Sequence, residues 1–141
     1  MDPIKVADLV ARMAHHQQVD KIGAAYIEHP RAVASFLDTQ EEKVIALLHD
    51  VLEDSFLTEA DLRPVFGDRI TDTVALLTRR EDEDYFAYID RIKGDPLATR
   101  IKLADLRHNT DRSRITEPAQ VDYDRWEKYD KAIEILTQEG R

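Results

Sequence analysis

The sequence contains no cysteine, only four glycines and five prolines, and no apolar run long enough to span a membrane. Without cysteine there is no disulfide scaffold, no thiol nucleophile and no cysteine-ligated zinc, and a reducing, cytoplasmic setting is expected. So few glycines and prolines leave little material for the tight turns of an all-β fold. The opening Met1-Asp2-Pro3 lacks the basic-then-apolar character of a signal peptide, so neither secretion nor membrane insertion is expected. Positive charge is also scarce. Lys and Arg number 20 against 29 Asp and Glu, a net charge of −9 at neutral pH. Such a surface argues against gripping a nucleic-acid polymer or an anionic membrane.

What remains is a chain of 141 residues, 43 % apolar and 35 % charged, suited to one folded, charge-rich domain. Its apolar spacing is helical almost throughout. Asp2-Pro3 reads as a cap and first helical residue, followed by Ile4, Val6, Leu9, Val10 and Met13. Residues 17–28 read as irregular, with a break at Gly23. Pro30 opens a second helix. Glu41–Leu52 is expected as a third, burying Val44, Leu47, Leu48, Val51 and Leu52. Thr58 and Asp61 form a capping-box-like pair before a short helix that stops near Gly67. Ile70–Leu77 and Tyr85–Lys93 follow, the latter ending at Gly94. Asp95-Pro96 repeats the cap-plus-proline start ahead of Leu97–Arg107, and Asp122–Gln138 closes the chain. The expected fold is all-α, a single bundle of about eight helices over residues 1–141.

Chemistry concentrates at the end of the third helix, His49-Asp50-Val51-Leu52-Glu53-Asp54. On a continuous helix His49 stacks over Glu53, and Asp50 over Asp54. An imidazole and three carboxyls beside an apolar run are costly unless something compensates them. A divalent cation does so, because it attracts carboxylate oxygen and neutral imidazole nitrogen together. The bland alternative is a solvated helix end, although acids there oppose the macrodipole. A further carboxylate lies in Ile101-Lys102-Leu103-Ala104-Asp105-Leu106-Arg107-His108-Asn109, where Asp105 and Asn109 share a face if the helix runs that far.

These segments together resemble the HD-domain phosphohydrolases, in particular the hydrolase domain of RelA/SpoT-type proteins and the small stand-alone alarmone hydrolases. Ala14-His15, Gln18, Lys21, Gly23, Tyr26-Ile27 and His29-Pro30 are similar to the opening motif of that family. Leu47 to Asp54 matches the central one, and Ile101 to Asp105 with His108-Asn109 the third. The resemblance extends over residues 5–112. It implies a metal, usually manganese, held by His29, His49, Asp50 and Asp105. It implies a catalytic acidic pair, Glu53 and Asp54, and substrate contacts from Lys21, Asn109 and Lys102. His15 fits as a structural or supporting residue, and His16 and His108 as structural or exposed ones. The implied reaction is release of pyrophosphate from the 3′ position of guanosine tetra- or pentaphosphate, as in the stringent response, without a synthetase segment.

The chain departs from the pattern mainly where substrate is recognised. Asp20 stands where the family usually has an arginine that lies against guanine, and a carboxylate cannot reproduce that cationic stacking. Gln17 and Ala25 replace a common glycine and proline. Leu106-Arg107 inverts the usual order, and Thr110-Asp111-Arg112 replaces the segment that usually follows. Two alternatives therefore stand beside the alarmone reading: an HD hydrolase of another nucleotide or phosphoester, and a non-catalytic nucleotide-sensing module. The expected partner is one small nucleotide, not a nucleic-acid polymer or a membrane, with the oligomeric state left open. Residues 100–114 fit an anionic ligand, with five Arg and Lys against two Asp, a local +3 within the total of −9.

Overall fold

A computed structural model of the protein describes residues 2–138; Met1 and residues 139–141, which the single-domain expectation also covers, lie outside the described residues. Four helix starts follow directly from local chemistry. Asp2 accepts the Ile4 N–H and is followed by proline, opening α1, Pro3–Ala14. After α2, Glu28–Ser35, Thr39 and Glu42 exchange side-chain-to-backbone bonds in a full capping box that opens α3, Gln40–Leu48. The four-residue α4, Val51–Asp54, comes after a turn. Thr58 and Asp61 form the expected box for α5, Glu59–Phe66, which ends at Gly67 with φ of 86°, a left-handed conformation that suits glycine. Then come α6, Asp68–Leu76, and α7, Tyr85–Lys93. Asp95 caps α8, Pro96–Asn109, by accepting the Ala98 N–H. A 3₁₀ turn, Arg112–Arg114, leads to α9, Gln120–Thr137.

The architecture is all-α, with no β-strand among the described residues beyond one isolated bridge, Val19 to Ala25. Taking α4 as the bent continuation of α3 gives the expected eight helices. Most boundaries agree with the periodicity. Helices α2 and α6 start two residues ahead of expectation, at Glu28 and Asp68, so Pro30 sits within the first turn of α2 and does not open it. Three other departures have identifiable reasons. Helix α8 runs on to Asn109 because the Thr110 N–H still reaches the Leu106 carbonyl at 2.8 Å. Helix α9 begins early, since the Asp122 carboxylate takes the Ala119 N–H at 2.9 Å and acts inside the first turn. The expected single helix Glu41–Leu52 is broken at His49-Asp50, where Asp50 adopts φ −103°, ψ 0° and leaves the helical well.

Helix α3 is the axis of the fold. Val44, Ile45, Ala46, Leu47 and Leu48 are all buried, and a helix segment apolar on every side, as the second half of α3 is, belongs inside its domain. Helices α1, α2, α6 and α8 pack around it, and α9 closes over α7 and α8. Val33 and Ile101 meet this core with no exposed surface. The metal- and acid-type residues identified in the sequence thus stand at the turn that ends the central helix, on α4, and on α2 and α8, which touch the central helix. Truncating Ile101 to Ala should lower the unfolding free energy by about 2–5 kcal/mol, through lost burial and a residual cavity, as read from urea denaturation.

Candidate metal centre and its cavity

The break after Leu48 sets the geometry. It turns His49 and Asp50 inward against His29 of α2 and Asp105 of α8. His29 Nε2 lies 2.8 Å from Asp105 Oδ1 and 3.8 Å from Asp50 Oδ2. His49 Nε2 lies 3.1 Å from Asp50 Oδ2 and 3.4 Å from Asp105 Oδ1. Donors about 2.1 Å from a common ion and at right angles to one another are about 3 Å apart, so these separations are those of a coordination shell. The hydrogen bonding points the same way. His49 Nδ1 faces the Ala46 carbonyl, which can only accept, so the hydrogen is on Nδ1 and Nε2 presents a lone pair. That nitrogen is buried and has no hydrogen-bond partner among the described residues. A buried acceptor aimed at two carboxylates is costly unless a cation lies among them. The four residues fit a divalent ion.

Each ligand-type side chain has its own support. The Tyr26 hydroxyl donates to Asp50 Oδ2 at 2.5 Å. Lys102 Nζ donates to Asp105 Oδ2 at 2.8 Å, and Asn109 Nδ2 to Asp105 Oδ1 at 3.2 Å. Burial works against ionisation of Asp105, but Lys102, His29 and His49 outweigh it and hold its carboxyl well below the ordinary range. Burial also opposes the charge on His49, yet Asp50 and Asp105 raise its pKa well above the usual imidazole value. In the absence of a cation, a proton is therefore the competing occupant. His108 Nδ1 lies 2.8 Å from His29 Nδ1, the rings stacked at 5.0 Å. If His29 Nε2 offers its lone pair to an ion, His29 Nδ1 carries the hydrogen and His108 accepts it, the usual way an imidazole ligand is oriented.

The acids of α4 sit one step out. Oxygens of Asp50, Glu53 and Asp54 lie within 4.8 Å of one another. Partial desolvation and then the charge of Asp50 raise the pKa of Glu53, against the Arg79 N–H that its Oε1 accepts at 3.0 Å. The same two causes raise Asp54. Both carboxyls hold a proton more readily than free ones do.

A cavity of about 410 Å³ opens over this cluster. His29, Asp50, Asp105 and Glu53 line it on one side, and Lys21, Lys102 and Asn109 also reach it. His49 is buried behind its wall, and Asp54 is not part of the lining. Lys21 is tethered to Asp122 of α9 at 3.1 Å. The Lys102 side chain is only 12 % exposed and its ammonium is bonded to Asp105. The role of His108 escaped the motif reading, although a position three residues after Asp105 on a helix shares its face. Tyr26 was visible only as a motif letter. Arg125 and Tyr129 of α9 also line the cavity, and nothing in their local pattern marks them, because only tertiary packing brings α9 to the site.

No family model matches the chain. Curated proteins are similar to it. A guanosine-3′,5′-bis(diphosphate) 3′-pyrophosphohydrolase of Haemophilus influenzae is 36 % identical over 116 residues, 72 % of this chain and 17 % of that protein. The bifunctional (p)ppGpp synthase/hydrolase SpoT of Escherichia coli K12 is 34 % identical over 121 residues, 75 % of this chain and again 17 % of the relative. The chain thus spans about one-sixth of the length of these relatives, 17 % in each case. Among solved structures, a metazoan ortholog of SpoT that hydrolyses ppGpp shares the fold, with a TM-score of 0.80 at 23 % identity, over 97 % of this chain and 86 % of that one. No described helix is long and apolar enough to cross a membrane.

The pairing of His29 with His108 has a measurable signature. Burial, then Arg114 and His29, push the His108 pKa down to about 4. The folded state therefore binds fewer protons than the unfolded state between the ordinary imidazole value and about pH 4, and this site's contribution to stability falls as pH drops through that window. An NMR titration of the folded protein should show His108 neutral at pH 6, and protonation of its ring there would contradict the geometry.

Proposed function

We propose, from the kinship of this chain with one region of the SpoT-like HD-type proteins, that it is a divalent-metal-dependent phosphohydrolase that releases pyrophosphate from the 3′ position of (p)ppGpp. The observation that carries the reading is the convergence of His29, His49, Asp50 and Asp105, with all but His49 on the wall of one nucleotide-sized cavity that Glu53 also lines. These four residues would hold the ion, manganese in this reading. The chemistry an ion supplies there is polarisation of a phosphoryl oxygen and acidification of water.

The chain's own residues account for the rest. Tyr26 donates to Asp50 Oδ2, the oxygen that faces the two histidines, and Lys102 holds the outer oxygen of Asp105, so both carboxylates are fixed in orientation toward the centre. His108 fixes the His29 ring. Glu53, with its raised pKa and one oxygen held by Arg79, is the group that takes a proton from the attacking water, and Asp54 is its partner in returning one. Water adds to the phosphorus bonded to the 3′ oxygen, that P–O bond breaks, and the freed 3′ oxygen collects the proton. Lys21 and Asn109 contact the nucleotide, with Lys102 balancing charge from beside Asp105. The protein acts in this reading as a single domain over residues 1–141, in the cytoplasm, on a small nucleotide and not on a nucleic-acid polymer. The carboxylate of Asp20 at the cavity favours a second reading, in which the same centre serves another nucleotide or phosphoester.

Incubation with manganese and a panel of nucleotides, with pyrophosphate and phosphate release measured, separates these readings. Pyrophosphate from the alarmone supports the first, and turnover of other nucleotides alone replaces it with the second. Asp105→Ala should abolish manganese binding by calorimetry. Glu53→Gln should retain the ion while turnover falls by about 10²–10⁴-fold. Unchanged metal content and activity in Asp105→Ala would overturn the ligand assignment.

A further inference from the structure

Asp20 and Arg114, 94 positions apart, meet at the cavity. Asp20 is firmly placed: its Oδ1 accepts the N–H groups of both Ile22 and Ala24 at 3.0 Å, and its own N–H donates to the Ala24 carbonyl at 2.8 Å. This closes the small loop around Gly23, whose φ is 86°. The remaining oxygen, Oδ2, lies 3.5 Å from Arg114 Nη2, with the two side chains 16 % and 22 % exposed. Arg114 Nη1 donates to the His108 carbonyl at 3.1 Å. The guanidinium is therefore strapped between the loop leading to His29 and the end of the helix carrying Asp105.

Both terminal nitrogens of Arg114 are thus engaged in the plane of the group. These contacts use two of its five N–H donors, and beside the remaining ones it offers the cavity a flat cationic face, which can stack on planar aromatic rings. The surroundings suit a ring better than a phosphate. Ile22 and Ile115 line the cavity with Arg114, and so do Asp20 and Asp111, whose carboxylates repel anions. Asp111 binds the Ser113 N–H and hydroxyl through Oδ1 alone, so Oδ2 is left to accept from a donor-bearing ring edge.

We infer that Arg114, latched by Asp20, is a specificity-determining residue whose face carries the nucleobase of the substrate, here a donor-bearing purine. The carboxylate at position 20, which by itself repels an electron-rich ring acceptor, serves by recruiting a guanidinium from the other side of the cavity. The inference rests on the proposed function only for the identity of the nucleotide.

Calorimetric binding of guanosine 3′,5′-bis(diphosphate) and of inorganic pyrophosphate to the manganese-loaded protein tests it, with circular dichroism as the folding control. Arg114→Ala should weaken the nucleotide by about tenfold, the scale of a partly desolvated guanidinium–ring contact, and leave pyrophosphate within about twofold. Arg114→Lys keeps the charge without the plane and should not restore the nucleotide. Equal weakening of both ligands would make Arg114 a phosphate or scaffold residue and overturn the inference, as would restoration by lysine or no change in either ligand. If wild-type protein binds the nucleotide in this base-dependent way but releases no pyrophosphate, the hydrolase reading fails and the base site stands. If it hydrolyses the nucleotide while Arg114→Ala binds both ligands as before, only the base site fails.

Discussion

The site depends on one electrostatic problem. Two buried imidazole edges and two carboxylates, from His29, His49, Asp50 and Asp105, are directed at a single small volume. Lone pairs facing lone pairs in a poorly hydrated interior repel. Tyr26 donates to Asp50, Lys102 and Asn109 donate to Asp105, and the Ala46 carbonyl accepts from His49 Nδ1, but none of these reaches the inner imidazole edges. The inner edges are left to a proton or a cation. Much of the local structure serves this arrangement, including the helix break that points two consecutive side chains inward.

That break marks where reading the sequence succeeds and where it stops. The caps at Asp2, Thr58 and Asp95 are local events, and short-range chemistry was enough to place them. The apolar period likewise identified α3 as buried. Periodicity alone, however, cannot detect a helix that ends because its last residues have better partners elsewhere. His49 and Asp50 leave the helical path for contacts with residues from α2 and α8, and these contacts are tertiary. The pairing of His49 with Glu53 expected on a continuous helix gives way to a division of labour, with His49 and Asp50 facing the centre and Glu53 facing the cavity.

The same distinction explains the remaining surprises. Lys102, expected as a substrate contact, is bonded to Asp105 one turn along α8; an i, i+3 pair is common on exposed helices, and depth within the fold makes this one consequential. Arg125 and Tyr129 carry no signature, since a closing helix contributes to a site only through where it docks. Asp20 read as a loss of cationic character, and alone it is. Its meaning changes once Arg114 is seen beside it, a relationship between distant positions that no local window contains.

The four metal-facing residues come from three segments of the chain, with His29 and Asp105 separated by 76 positions. No short stretch of unfolded chain can reproduce that constellation, so an ion that binds there binds the native state almost exclusively. Such an ion acts as a cross-link without covalent bonds, joining α2, the end of α3 and α8 across the core. In a chain without a single cysteine, an ion held at this candidate centre would be the closest equivalent of a disulfide, and the availability of metal would bear on how long the fold persists.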